Sequence, residues 1–337
     1  MTTSPSLGVG PGSNGRPIGT IVGATSRVDR WLLAAAPAQR LAALRILVGG
    51  FVAVYMTVMV NEFGRVSRLP TGDFKPVGIA TLLSGPLSPG QVWACFVLTL
   101  VSGVAFTAGI GFPLSGPAFA LAALGWASYH SSWGQMLHFE HLFTLHVLIL
   151  GFSPAADVWS LRFQRGTDRP FRLSFTRSAK APPAHVRYGW PIKLLAIVTA
   201  VTYVVSALTK LRMSGFAWVD ASNLGNHIAY SATRLDLLGA WQPPLAGFVL
   251  SNRWLLGPMA WAALLIELFA PVALLGRRWR RWWVVVALLM HTGTAATMLV
   301  WFPFHGLGFG LLPLFRCERL ISEVFSRSCR VASRLRG

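Results

Sequence analysis

Residues 203–218 read YVVSALTKLRMSGFAW. They close an apolar run, 191–211, that carries one lysine, Lys210, just ahead of a break at Ser214-Gly215. A run of about 20 apolar residues is what an α-helix needs to cross a bilayer. A cation at its edge must reach the interface, pair with an anion or take part in chemistry. The fold follows from the run, and the functional question from the lysine.

The rest of the chain repeats the pattern. Of 337 residues, 53% are hydrophobic and only 12% charged, with 14 Trp and a mean hydropathy of +0.54. Soluble domains carry roughly twice that share of charge. Apolar segments lie at 42–60, 91–111, 115–130, 139–156, 191–211, 254–275, 282–300 and 303–315. They are continuously apolar rather than alternating, which argues against a transmembrane β-barrel. The expected fold is an all-α polytopic bundle of about eight transmembrane helices.

A net charge of +19 would point to nucleic acid in a soluble chain. Here 23 of the 30 basic residues fall within 1–45, 161–193, 277–281 and the tail from Arg316. Loops 61–90 and 212–253 hold three each. By the positive-inside rule, both termini are then expected to be cytoplasmic, in a plasma membrane of bacterial type, with lipids as neighbours and no nucleic-acid partner. Residues 1–30 read as a disordered N-terminus, rich in Gly, Ser, Pro and Thr up to about residue 25 and without a signal-peptide core. Residues 31–316 form the membrane domain and 317–337 a basic tail. Arg27 to Arg40 suits a short interfacial helix. The loop 212–253, with helical character over 222–240, could lie over the mouth of the bundle as a lid. Cys95, Cys317 and Cys329 have no metal spacing and make no disulfide framework.

Candidate residues follow from polarity in apolar surroundings. A desolvated Lys210 would favour its neutral amine and act as a base toward a lipid-soluble acid; the bland alternative is an ammonium snorkelling to the interface. Glu267 is the acidic residue deep within a span, either functional or a hydrogen-bonded structural glutamate. At about 100° per residue, His138, His141 and His146 share one broad face of their helix while Glu140 points away. HFEH is not the HExxH arrangement of a zinc site, so polar contacts lining a cavity are expected there rather than a metal. His291 and His305 could line the same cavity or satisfy backbone groups. Gly306, Gly308 and Gly310 permit close helix approach or local irregularity.

Four patches resemble the HTTM group, the membrane-protein family of the vitamin K-dependent γ-glutamyl carboxylase. They are Ser132-Trp133 with His138 and Val158-Trp159-Ser160-Leu161; Tyr203 to Trp218; Leu264-Leu265-Ile266-Glu267-Leu268; and His291 in LLMH followed by Pro313-Leu314-Phe315. The resemblance covers roughly residues 40–316. It implies a membrane-embedded site in which Lys210 deprotonates a reduced quinone (vitamin K or menaquinol), with quinol oxidation or epoxidation coupled to modification of a peptide or protein acceptor. His138 would position a substrate or intermediate, with Glu267, His291, Trp218, His141 and His305 supporting the site. The chain departs from the family at Arg162, where an acidic residue is usual, and at Ser206-Ala207, where Ala-Gly precedes the lysine. It also ends about 20 residues after its last apolar run, so propeptide recognition is not expected. The alternative is a non-catalytic HTTM protein that binds a lipid, a peptide or a partner membrane protein. A transporter is less well supported, because no two-fold repeat of interrupted helices is visible.

Overall fold

A computed structural model describes residues 26–134, 138–164, 172–175 and 182–323. In chain order the helices are α1 Arg27–Leu32, α2 Ala38–Val58, α3 Val60–Val66, α4 Pro89–Ala108, α5 Phe112–Ser131 and α6 His138–Gly151. After them come α7 Val186–Ser214, α8 Ala221–Leu237, α9 Ala246–Ser251, α10 Leu256–Leu268, α11 Arg277–Met298 and α12 Pro303–Gly306. A two-stranded antiparallel ribbon, β1 Leu161–Gln164 and β2 Arg172–Phe175, interrupts the helical pattern with Leu161 opposite Phe175. The ribbon lies within the basic loop 161–193, between two of the expected helical spans, and the rest of the described fold is helical as expected. The N-terminus before residue 26, the tail beyond 323 and part of that loop lie outside the described residues.

Local chemistry sets the helix ends. Ser88 and Gln91 form a capping box at the start of α4, with Pro89 in its first turn and Gly109 at φ 74° closing it. α7 runs 29 residues and stops at Gly215, whose φ 57° and ψ −146° suit only glycine. A 3-10 segment, Gly215–Val219, then brings Trp218 back over the helix end.

α2 is central. Leu41, Leu44, Val48, Val52 and Met56 are fully buried, and the helix packs against α4, α6 and α7. Their spacing of three and four residues makes one stripe. α5 and α6 meet at Gly116 and Gly151, where a Cβ on either would lie 2.6 Å from the other's carbonyl oxygen. A second apolar cluster joins α7 to α11 through Ala200, Tyr203, Trp283 and Ala287. α8 rests on α9, α10 and α11 with Ile228 inward.

Three helical stretches, Ala38–Val58, Pro89–Ala108 and Val186–Val219, are long and apolar enough to cross a membrane. Their outward faces are also apolar: Val97, Leu98, Val101, Val104, Val201 and Val205 are all at least half exposed. A continuous apolar exterior of this kind fits a bilayer.

Two expected spans are not single helices. Residues 303–315 form α12 and a separate 3-10 turn, Phe309–Leu314, with Gly308 at φ 79° between them. Three glycines and two prolines in 13 residues explain the break, since both residue types disfavour helix interiors. Their absent side chains are used. Trp301 fills the space a Gly306 Cβ would take, and Leu142 and Phe304 fill that of Gly310. The run 254–275 likewise divides at Phe269, where Pro271 turns α10 into the 3-10 segment Ala270–Leu274. The interfacial helix is shorter than expected, for α1 ends at Leu32 and Ala36 pairs with His185 in an isolated bridge.

Candidate functional site

Thr199, Tyr203, Ser206 and Lys210 are spaced four, three and four residues apart, which puts them on one face of α7. Each meets a polar partner from another element. Lys210 Nζ lies 2.5 Å from both carboxylate oxygens of Glu267 on α10. Ser206 Oγ donates to the same carboxylate at 3.2 Å. The ammonium also sits 4.6 Å from the centre of the Trp218 ring, a cation–π contact. The side chains are 24% and 9% exposed for Lys210 and Glu267 respectively, so the pair opens to its surroundings on the lysine side. The lysine and the glutamate are thus each other's partner across α7 and α10.

One and two turns deeper, the same face carries a second set. Tyr203 Oη and His291 Nε2 are 2.8 Å apart. The His305 ring lies 5.3 Å from that of His291 and 5.7 Å from that of Tyr203. His305 is buried, and its Nδ1 has no hydrogen-bond partner. Trp283 stands edge-on to Tyr203 and ties α11 to α10 by donating to the Ile266 carbonyl at 2.9 Å. Farther along, Thr199 Oγ1 meets His146 Nε2 at 3.1 Å and donates to the Gly310 carbonyl at 2.9 Å. His291 and His305 therefore join the Lys210–Glu267–Trp218 group along one helix face.

The expected orientation of α6 is corrected. Glu140 and His146 are buried, whereas His141 is exposed. Taking about 100° per residue, the exposed stripe passes through His141 and Leu145, and the inward direction falls between His146 and Glu140. Grouping the three histidines on one face overlooked that the helix is enclosed on most of its circumference. His138 begins α6, and its side chain lies outside the described residues.

Glu140 belongs to a network that the sequence reading missed. Tyr55 Oη donates to it at 2.8 Å, and His130 Nδ1 lies 3.2 Å from each of its oxygens. His130 Nε2 is 3.1 Å from Glu62, whose other oxygen accepts from Arg65 Nε at 2.9 Å. Arg65 beside it holds the Glu62 carboxyl below its ordinary range, against a smaller opposing effect of burial. His130 is stacked on Trp126. The signal available was one histidine and one glutamate near the ends of adjacent apolar runs, with nothing in their spacing to pair them. This network sits at the end of the bundle where α2 and α5 finish.

Lys210 Nζ and the Glu267 carboxylate lie close enough for a proton to pass between them. Among the described residues, no group of three or more His, Cys, Asp or Glu could hold a metal ion. No protein-family model, curated protein or solved structure matches this chain.

Proposed function

We propose that the chain is a polytopic membrane protein whose α7 face binds a reduced quinone, vitamin K or menaquinol in type, and removes a proton from it. The observation that carries this reading is the Lys210–Glu267 pair beneath Trp218, with the partnerless nitrogen of His305, on α12, packed beside Tyr203 two turns along α7. An intramembrane ionisable pair marks a functional site by default. The residues suit a quinol: Trp218 offers a ring face, and His305 Nδ1 offers a hydrogen bond to an oxygen.

A bound quinol would supply an acidic hydroxyl and the electrons for oxidation by oxygen. Lys210 takes the hydroxyl proton as its own moves to Glu267, so the pair goes from neutral to a net charge of +1. Ser206 keeps the receiving carboxylate oriented. Tyr203 and His291 brace each other one turn deeper and fix the wall of the site. The acceptor modified downstream is a peptide or protein of unassigned identity.

Eight crossings with both termini cytoplasmic remain the topology we favour. Arg40, at the start of α2, bonds Glu318 beyond the last apolar segment, which supports termini on one side. Lys193 near the start of α7 and Arg280 in the first turn of α11 gather at that same end. The final crossing is then the broken segment 303–315, tolerated because non-helical backbone at membrane depth is acceptable when enclosed by protein. α12 contacts both α6 and α11.

A second reading has its own observation. Lys210 is already satisfied by both Glu267 oxygens and an aromatic face, as a clamp between α7 and α10 would be. In that case the protein is a non-catalytic membrane protein that binds a lipid, a peptide or a partner. Titrating a reduced short-chain menaquinone into nanodisc-embedded protein separates the two. We expect saturable binding by wild type and its loss in the folded double variant Lys210→Met/Glu267→Leu. Equal binding by both proteins would leave the clamp reading in place.

A further inference from the structure

At the end of the bundle where α2, α7 and α11 begin, a cavity of about 210 Å³ is lined by Arg40, Lys193, Arg280 and Arg316. The four cations come from four separate segments. Leu274, Leu314 and Phe315 supply an apolar wall to the same cavity. Among the described residues, the carboxylate that answers this charge is Glu318, which Arg40 binds at 2.8 and 3.0 Å. Lys193 Nζ has instead settled 4.5 Å from the centre of the Trp31 ring. Arg280 Nε is buried without a hydrogen-bond partner.

Three cations in excess of carboxylate repel one another, and an unsatisfied buried guanidinium nitrogen is costly. Both penalties are relieved by an anion with several acceptor oxygens. We propose that this cavity binds a phosphate group. Phosphate suits guanidinium donors, which approach its oxygens in pairs, and a lysine beside them adds a point charge. Because Leu274, Leu314 and Phe315 line the same cavity, the group arrives most favourably on a membrane lipid, as basic pockets between transmembrane helices on the cytoplasmic side allow. The site is separate from the Lys210 face, and neither depends on the other.

The test uses full-length protein in non-ionic detergent, titrated with dioleoyl phosphatidylglycerol, with dioleoylglycerol and with inorganic phosphate. Variants are Arg280→Gln, Lys193→Gln and, as a charge-matched control outside the cavity, Arg319→Gln. Thermal unfolding verifies that each variant is folded. Phosphatidylglycerol should bind saturably, and each cavity substitution should weaken it roughly fivefold, with no change from Arg319→Gln. If inorganic phosphate binds and competes with the same sensitivity, the free anion is the ligand and the phosphate assignment stands. Dioleoylglycerol binding as tightly as phosphatidylglycerol would overturn it, because the acyl chains alone would then suffice. Equal weakening by Arg319→Gln would also overturn it, reducing the effect to diffuse surface charge, as would failure of both phosphate-bearing probes to bind.

Discussion

Replacing Lys210 by methionine destabilises the protein by about 3 kcal/mol, the low end of the cost of stripping one partner from a buried ion pair. The low end applies because the lysine side chain is 24% exposed and part of its charge is already solvated. The loss comes mostly from Glu267, left 9% exposed with only the Ser206 hydroxyl at 3.2 Å to hold its carboxylate. Removing the carboxylate as well takes away that penalty. Lys210→Met/Glu267→Leu should therefore recover most of the lost stability, since apolar replacement of a whole buried pair is often neutral or favourable. Thermal unfolding in detergent measures both variants. Single and double variants that melt together would mean that the stranded carboxylate is not the cause.

Glu140→Leu carries the second large effect, a loss of roughly 2–4 kcal/mol from two buried groups left without their acceptor. Those groups are the Tyr55 hydroxyl, 2.8 Å from Glu140, and His130 Nδ1, 3.2 Å away. Glu140 itself is 1% exposed, so water does not replace what is lost. Glu140→Gln keeps one oxygen to accept from Tyr55 and gives up the charge and one of the two acceptors beside His130, so its cost is smaller, nearer 1 kcal/mol. The comparison matters more than either value. If the leucine variant melts no lower than the glutamine variant, the network contributes shape rather than hydrogen bonding.

The residues differ in how far the sequence discloses them. Lys210 and Glu267 stand out because a charge within an apolar run is rare and expensive, and both belong to the site the structure assembles. Their pairing is not visible, since it depends on how α7 and α10 lie against each other across 57 residues. Glu140 shows the opposite failure. A helix wheel gives relative angles but no absolute direction, and α6 is buried on so much of its circumference that three histidines did not reveal which way was inward. His130 gave less still, being one polar residue at the end of an apolar helix. The segment 303–315 was apolar enough to read as one helix, yet its glycines and prolines were the better guide to its broken backbone. Apolar length locates the elements, and the contacts between them follow from packing.

The most direct test of the proton-accepting pair is oxygen-dependent quinone epoxide formation in proteoliposomes supplied with reduced menaquinone or reduced vitamin K. Wild type, Lys210→Ala and the apolar double variant Lys210→Met/Glu267→Leu are compared at equal amounts of folded protein. Epoxide from wild type alone is the predicted result. Epoxide from Lys210→Ala at the wild-type level, or none from wild type with either quinone, would contradict the account and leave the Lys210–Glu267 pair as a clamp between two helices.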